Sequence, residues 1–529
     1  MAVEWSPTTG SVLSGDELRE NFRAAADSFV DLTGTMLGPR GMYKLVVPKE
    51  GGAIVTRDCL RVLRTVEVDH PIGRLLYGVA SGQGDRCGDG VVTSLLLASR
   101  LITGSLDAVT ETGLHPRTVH AGLDRARVIA ERTLADVAVP VDPDPTTDHL
   151  RAVATAQVRT KLLDGAEFAP LVTETLAALA RDARPSESGG LLLDTENRAH
   201  VFARTGPSRR ETRRFDGVLV KKELQNADRK SVRDARVATV DRKLYLETVR
   251  GDEETGRRLR ASTPETLEAF RRAEDAVHER LVRPLLDAGV DVLVTRKGID
   301  DRVTNALVRE GVLVIRRARP EGILESVAAA TGATVVGDVR DLGPADLGHA
   351  GIVEERRFGP LAYTLVGECR GAAANSILTR GGTWTGAEDV GRGLEAALRA
   401  TAAAVREPAV VPGGGFAEIR VARALRSAAA RTSTREALVL ERAASAFEAV
   451  VRTLAGNAGL DELDALTTLR ARVPAETAGV VDADDGPAAV GDVRAAGVLD
   501  PLRVKRGAVS SAVQAATYAI PVDEVIAVE

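Results

Sequence analysis

Two stretches of helical hydrophobic spacing, one at each end of the chain, enclose a middle of short apolar strands, and this arrangement limits the topology more than any other feature. From Asp16 to Leu37 apolar residues recur one helical turn apart (Leu18, Phe22, Ala25, Phe29, Leu32) until LGPRGMYK breaks the pattern. KLVV and the following PKEGGAIVT read as a hairpin, and the segments Pro71 to Ala80, Val91 to Ser105 and Pro116 to Val137 read as helices. At VPVDPDPTTD, residues 139 to 148, prolines and aspartates mark a domain boundary, and helix resumes at His149. RFDGVLVKKE, ARVATVD, VDVLVTRKGIDD, GVLVIRRA and ATVVGDV then give the rhythm of an α/β layer, interrupted by a charged amphipathic helical excursion from Thr255 to Pro284. From Ala387 onward the chain reads as almost wholly helical. The economical topology is one domain made from both termini with another inserted through hinge segments. A length of 529 residues predicts about three or four domains.

Composition removes several classes. A net charge of −5 and a pI near 6.0 give no electrostatic reason for a nucleic-acid or membrane partner. Only nine of the 70 basic residues are Lys, a skew read as genomic base composition because Arg is spread along the whole chain. Cys59, Cys87 and Cys369 stand far apart without CxxC pairing, which suggests neither a disulfide framework nor a zinc site and fits a reducing cytoplasm. The N-terminal MAVEWSPTTGSVLSGDELRE lacks a leader pattern, and no stretch approaches about 18 uncharged apolar residues, so secretion and membrane spanning are not expected.

Three glycine-rich loops each adjoin a helix, where backbone N–H groups and the helix dipole can hold phosphate oxygens: Leu37-Gly38-Pro39-Arg40-Gly41, Gly88-Asp89-Gly90 and Pro412-Gly413-Gly414-Gly415. Each alone reads first as a turn. GQGDRCG, residues 82 to 88, imitates a dinucleotide fingerprint, but its last glycine is one residue late and no strand precedes it; no GxxxxGK[ST] loop occurs. Asp89 fits either a helix cap or a magnesium ligand between phosphates, and Asp58, Asp85 and Asp500 raise the same question. Asp300 and Asp301 read as an acidic helix start, the seven histidines lack metal-ligand spacing, and no nucleophile elbow is present.

Read in order, MLGPRGMYKLVV, VEVDHPIGRLL, CGDGVVTSLLLASRLI, LVTRKGIDD, ATGATVVGDVRDLGPADLGHAGIVEERRFG, ILTRGGT, VPGGGFAEIRVARALR, LAGNAGLDELDALTTLRA and GVLDPLRVKRGAVSSAVQAA resemble the group II chaperonins, the archaeal thermosome and CCT family, through nearly the whole chain. The resemblance implies a multidomain α and α/β fold. A helical equatorial domain would take residues 1–143 and 402–529, a hinge-like intermediate domain 144–212 and 366–401, and an α/β apical domain 213–365 with a helical lid protrusion near 245–285. It implies ATP and Mg²⁺ as cofactors, and a double ring of identical or paralogous subunits in the cytoplasm that encloses unfolded or non-native proteins. Carried over position by position, Gly38 and Pro39 line the phosphate loop and Gly88, Asp89 and Gly90 form the phosphate turn, with Asp89 the Mg²⁺ ligand. Gly414 and Asp500 touch the nucleoside end, Lys161 senses the γ-phosphate, and Asp58 keeps the acid of the NDG motif between Arg57 and Cys59.

The departures concern the chemistry. Val91 and Val92 stand where the family has two phosphate-binding threonines, leaving Thr93 and Ser94 to compensate in part. Ala396 stands where the family has its hydrolytic aspartate, and losing a general base costs about 10²- to 10⁴-fold in rate. Glu395 is adjacent, but one helical residue turns a side chain by about 100°, so rescue is not expected. Tyr43 replaces the acid of the GMDK loop, and the Gly- and Met-rich tail usual in the family is not found. The expectation is an ATP-binding chaperonin subunit with weakened hydrolysis; the alternative is a catalytically inactive structural or holdase subunit of a hetero-oligomeric ring.

Overall fold

The computed structural model describes residues 12–49, 51–162, 165–226, 228–245, 278–473, 475–482 and 486–526. By its internal contacts the chain divides into two units, the first Met1–Ala180, Arg184–Leu193 and Glu388–Glu529, the second Arg181–Ala183 and Asp194–Ala387.

The first unit opens with β1 (Val12–Ser14) and α1 (Gly15–Thr33), whose buried Leu18, Phe22, Ala25 and Phe29 follow the spacing read from the sequence. The hairpin β2 (Lys44–Val46) and β3 (Ile54–Thr56) is antiparallel. Next come α2 (Cys59–Thr65), α3 (Pro71–Cys87), α4 (Val91–Thr112), α5 (Pro116–Val137), the short β4 (Val139–Pro140), α6 (Asp148–Lys161) and α7 (Ala169–Ala180). Helices α3 and α5 both begin with proline, which needs no amide partner there, and the ring nitrogens of His70 and His115 accept the amides of Ile72 and Arg117. Helix α3 runs seven residues beyond the expected Ala80, so the near-fingerprint GQGDRCG is its last turns. A Cβ on Gly84 would lie 2.3 Å from Leu60 Cδ1 on α2, so a larger residue there makes that leucine side chain move.

The second unit contains β5 (Ala199–Thr205), β6 (Arg213–Val220), β7 (Ser231–Val240), α8 (Arg283–Ala288), β8 (Val292–Thr295), α9 (Asp301–Arg309), β9 (Leu313–Ile315), α10 (Ile323–Thr331), β10 (Val335–Val336), β11 (Gly348–Phe358), β12 (Leu361–Cys369) and β13 (Asn375–Gly381). They form a mixed sheet in the order β9-β8-β7-β11-β12-β6-β13-β5, with β10 also on β7. Strand β8 is buried along its whole length: Val292 and Val294 enter one apolar cluster and Leu293 the other, the alternation of a strand covered on both faces. Asp300 caps α9 by accepting the amide of Arg302 at 2.9 Å, as expected. The lid protrusion expected near 245–285 falls, for residues 246–277, outside the described residues.

The chain continues with α11 (Trp384–Arg406), β14 (Ala409–Pro412), α12 (Phe416–Ala430), α13 (Glu436–Asn457), α14 (Glu462–Arg472), β15 (Ala478–Val481), β16 (Ala489–Asp492), β17 (Leu499–Pro501), α15 (Leu502–Ala519) and β18 (Glu524–Ile526). This part is less uniformly helical than its alanine content suggests. Strand β14 pairs with β17 on one side and β4 on the other, and β18 pairs with β1, so both ends of the chain build one unit. Among the described residues α4 alone is long and apolar enough to cross a membrane, and 67% of that stretch is buried inside this unit. Its Leu95, Leu96, Leu97, Leu101, Ile102 and Leu106 are each 3% exposed or less, as in a helix apolar on every side and surrounded by others.

Helices α5 and α13 approach closely at Gly122, where a Cβ would sit 2.6–3.0 Å from three atoms of Val439. Gly122→Val therefore forces apart two packed helices and is expected to lower stability by about 1–3 kcal/mol, read as a lower urea midpoint of the main unfolding transition.

Candidate functional site

A cleft of about 1260 Å³ in the first unit is lined by Gly38, Pro39, Asp58, Gly88, Asp89, Gly90, Thr93, Lys161, Gly414 and Asp500, so every binding residue expected from the sequence meets in one place. Ala396 and Glu395 line it too.

The first wall is the turn after α1. Gly38 has φ +84°, and a Cβ there would lie 2.5 Å from Leu454 Cδ1. Asn457 Nδ2 donates to the carbonyls of Gly34 and Leu37, both at 2.9 Å, and fixes the turn against α13. Arg57 donates to the carbonyls of Gly38 at 3.1 Å and Pro39 at 2.7 Å, while its guanidinium lies 5.5 Å from the centre of the Tyr43 ring. Two departures noted separately in the sequence are thus one contact: Tyr43 supplies the face on which Arg57 rests while it holds the loop.

The second wall is Gly88-Asp89-Gly90 between α3 and α4. Both glycines are left-handed, with φ +68° and +77°. A Cβ on Gly88 would lie 2.5 Å from the Ala396 carbonyl, so α11 rests directly on this turn. Gln83 Nε2 clamps it by donating to the carbonyls of Asp89 at 2.9 Å and Val504 at 3.1 Å. Asp89 does not cap α4, whose N-cap is Gly90 with no side-chain bond. Its carboxylate instead meets the Lys161 ammonium. Burial opposes the Asp89 charge, but Lys161 and the Gly90 amide outweigh it and hold the carboxyl below its usual range. Of the two hydroxyls expected to compensate for Val91 and Val92, Thr93 lines the cleft, whereas Ser94 is buried and donates to the Val91 carbonyl at 2.8 Å.

The third wall is the triple glycine between β14 and α12. Gly414 has φ +62°, and a Cβ would lie 2.6 Å from the Val480 carbonyl. The β14–β17 register sets Val411 opposite Asp500 and brings that carboxylate beside Gly413. Lys505 of α15, with Glu418 of α12, was not singled out in the sequence: its Nζ stands 3.0 Å from Asp500 Oδ2 and 2.6 Å from Glu418 Oε1. The signal was a basic residue one turn after Asp500, in a sequence with nine lysines. Burial works against the Lys505 charge, but Asp500 and Glu418 prevail and raise its pKa. Asp500 is pushed upward by burial and by the Asp89 charge against the pull of Lys505. Glu418 Oε2 is buried without a hydrogen-bond partner.

Helix α11 closes the cleft with Asp389, Arg392, Glu395, Ala396 and Arg399. Asp58 caps α2, accepting the Leu60 amide at 3.0 Å, and faces Arg392 at 3.8 Å. Asp389 accepts from Thr56 Oγ1 at 2.9 Å. Burial and the nearby Asp58 raise the Glu395 carboxyl above its usual value, with Arg399 opposing. Cys59 also lines the cleft, but burial pushes its thiol up to about 12, which excludes it as a nucleophile at neutral pH. Among the described residues no group of three His, Cys, Asp or Glu side chains gathers as a metal centre. A divalent ion in the cleft would rest on Asp89 and on ligand oxygens, the mode usual for magnesium beside phosphates.

An α/β unit inserted into a helical unit whose cleft is walled by glycine turns is the layout of a chaperonin subunit. Residues 29–529 match the TCP-1/cpn60 chaperonin family, and the chain belongs to it. It is 34% identical to the thermosome subunit beta of Archaeoglobus fulgidus over 98% of this chain and 93% of that one. It is 33% identical to the thermosome subunit of Methanopyrus kandleri (97% and 92%) and to thermosome subunit 3 of Haloferax volcanii (98% of both).

Two expectations follow from the charges. Lys505→Met strands Asp500 and Glu418 and is expected to cost about 3–5 kcal/mol of stability, measured by chemical denaturation. The raised Glu395 pKa means that folding disfavours its ionised form relative to the unfolded chain; stability from this group is present below the ordinary value of 4.5 and is lost as pH rises through the folded value. Glu395→Gln should therefore be more stable than the wild type at pH 7–8, with the gain shrinking toward pH 5 in urea titrations across that range.

Proposed function

We propose that this chain is an ATP-binding chaperonin subunit that assembles with identical or paralogous subunits into a double ring and encloses non-native proteins, with hydrolysis weaker than the family norm. The observation that carries the reading is the convergence of three glycine turns on a single cleft where α11 presents Ala396. The residues fit the group. Left-handed glycines at 38, 88, 90 and 414 leave cradles that a Cβ would fill or strain, and the N-termini of α4 and α12 open beside them. Gly38, Pro39, Gly88, Gly90 and Thr93 would meet phosphate oxygens, Asp89 would hold Mg²⁺, and Lys161 would exchange Asp89 for the terminal phosphate. Gly414 and Asp500 would flank the nucleoside, and Asp58 would stay near the reacting end. Bound Mg²⁺ would neutralise phosphate charge.

In this reading residues 1–143 and 402–529 would form an equatorial domain within the first unit, and 144–212 and 366–401 an intermediate domain whose residues 194–212 and 366–387 fall in the second unit. The apical domain, 213–365, would contact clients. The work would take place in the cytoplasm, with neither nucleic acid nor membrane as a partner. Weak turnover follows from the site: alanine neither accepts a proton nor orders water, and valine offers phosphate no hydroxyl. The second reading, a structural or holdase subunit without a cycle, draws on the Lys161–Asp89 ion pair, which already neutralises the proposed metal ligand.

Calorimetry with Mg²⁺ and a non-hydrolysable ATP analogue on the assembled protein separates the two, since the first requires saturable binding. Replacing Ala396 with Asp, and Val91 and Val92 with Thr, is expected to recover much of the roughly 10²- to 10⁴-fold that a missing general base costs. Wild-type turnover already equal to that of the triple variant would defeat the assignment of weakened hydrolysis.

A further inference from the structure

The carboxylates lining the cleft are committed, with one exception. Asp58 caps α2, Asp85 accepts from Ser81, and Asp89 is held by Lys161. Asp389 accepts from Thr56, Asp482 pairs with Arg40, and Asp500 shares Lys505 with Glu418. Among the described residues Glu395 alone of these carboxylates has neither a hydrogen bond nor an ion pair, and its oxygens are not sealed from the cleft. Successive helical residues are turned by about 100°, which would keep Glu395 out of a narrow cleft that admits Ala396. Arg392, Glu395, Ala396 and Arg399 all line this one, so it spans an arc of α11 wide enough to take both 395 and 396.

Position matters as much as freedom. The carbonyl of Ala396 touches the Gly88 turn, which anchors this part of α11 against the loop that carries Asp89. Glutamate is one methylene longer than aspartate, which extends its reach from its own edge of that arc. Its neighbours Asp58 and Arg399 bear opposite charges, and together with burial they leave the carboxyl easier to protonate than a surface glutamate, which suits a group that must accept a proton near neutral pH.

We propose that Glu395 is the general base for the hydrolysis that this cleft retains. The proposal rests on the nucleotide reading above. A water oxygen bonds to the terminal phosphorus as one of its protons passes to a Glu395 carboxylate oxygen. The bond from that phosphorus to the bridging oxygen breaks, and its electron pair leaves with the nucleoside diphosphate. The proton on Glu395 then passes to solvent as inorganic phosphate departs.

The test uses the assembled full-length protein with Mg²⁺ and γ-labelled ATP in single-turnover experiments, beside calorimetry with a non-hydrolysable analogue. Glu395→Gln is expected to slow phosphate release by about 10²-fold or more with analogue affinity unchanged. Glu395→Gln combined with Ala396→Asp should regain turnover, which shows that the site is still folded. Wild-type rates in Glu395→Gln, or a wild type that binds the analogue and releases no phosphate, overturn the proposal while leaving the nucleotide reading intact. Absence of analogue binding by the wild type overturns both. Should Glu395→Gln fail to assemble, Glu395→Asp carries the test: its shorter side chain withdraws the carboxyl and is expected to slow release at unchanged affinity, and an unaltered rate overturns the assignment.

Discussion

The seating of α11 against Gly88 is the contact on which the rest of the site depends. With the Ala396 carbonyl 2.5 Å from where a Cβ on Gly88 would stand, no other residue type fits without moving a helix. The same turn ends α3 and begins α4, the innermost helix of the first unit, so the core and the cleft share a joint. A shift there propagates into packed leucines on one side and into the carboxylates of 58, 89 and 395 on the other. Gln83 reinforces the joint from inside α3, and its amide reaches α15 as well.

Around this rigid frame the charges are distributed unevenly. Lys161 and Lys505 each hold acids that burial would otherwise protonate or expel. Both lysines belong to helices that approach the cleft from different stretches of the chain, α6 and α15. The ion pairs therefore bind separate segments of the unit to one another. Arg57 is different: it bonds to carbonyls and stacks on Tyr43, which makes it part of the loop's scaffold.

What the sequence disclosed depended on whether the deciding interaction was local. Helix α5 was legible because proline at its start and regular apolar spacing act within a turn or two, and the hairpin at 44–56 because a glycine pair separates two apolar runs. Helix α3 was cut short because glycines at 78, 82 and 84 look like a break; Gly84 lies against Leu60, and that neighbour belongs to another helix. Strands β11 and β12 were not read as strands: β11 carries charged residues over much of its length, and its pairing with β7 spans more than a hundred residues of chain. In the site, the glycine turns were legible through family resemblance. The Arg57–Tyr43 contact, the commitment of Ser94 to its own helix and the Lys505 triad were not, because each is fixed by side-chain direction.

Binding and chemistry in such a cleft differ in how easily they are lost. The cradle is made of backbone conformation, and removing it means replacing glycines whose left-handed φ strains any other residue. Water activation rests on one carboxylate, and an alanine in its place, as proposed for position 396, would leave the helix intact, since alanine is the best helix former. A chain can therefore lose the acid and keep the pocket. Under the proposed assignment Glu395, which lines the cleft with neither a hydrogen bond nor an ion pair, is the carboxylate left to take that role.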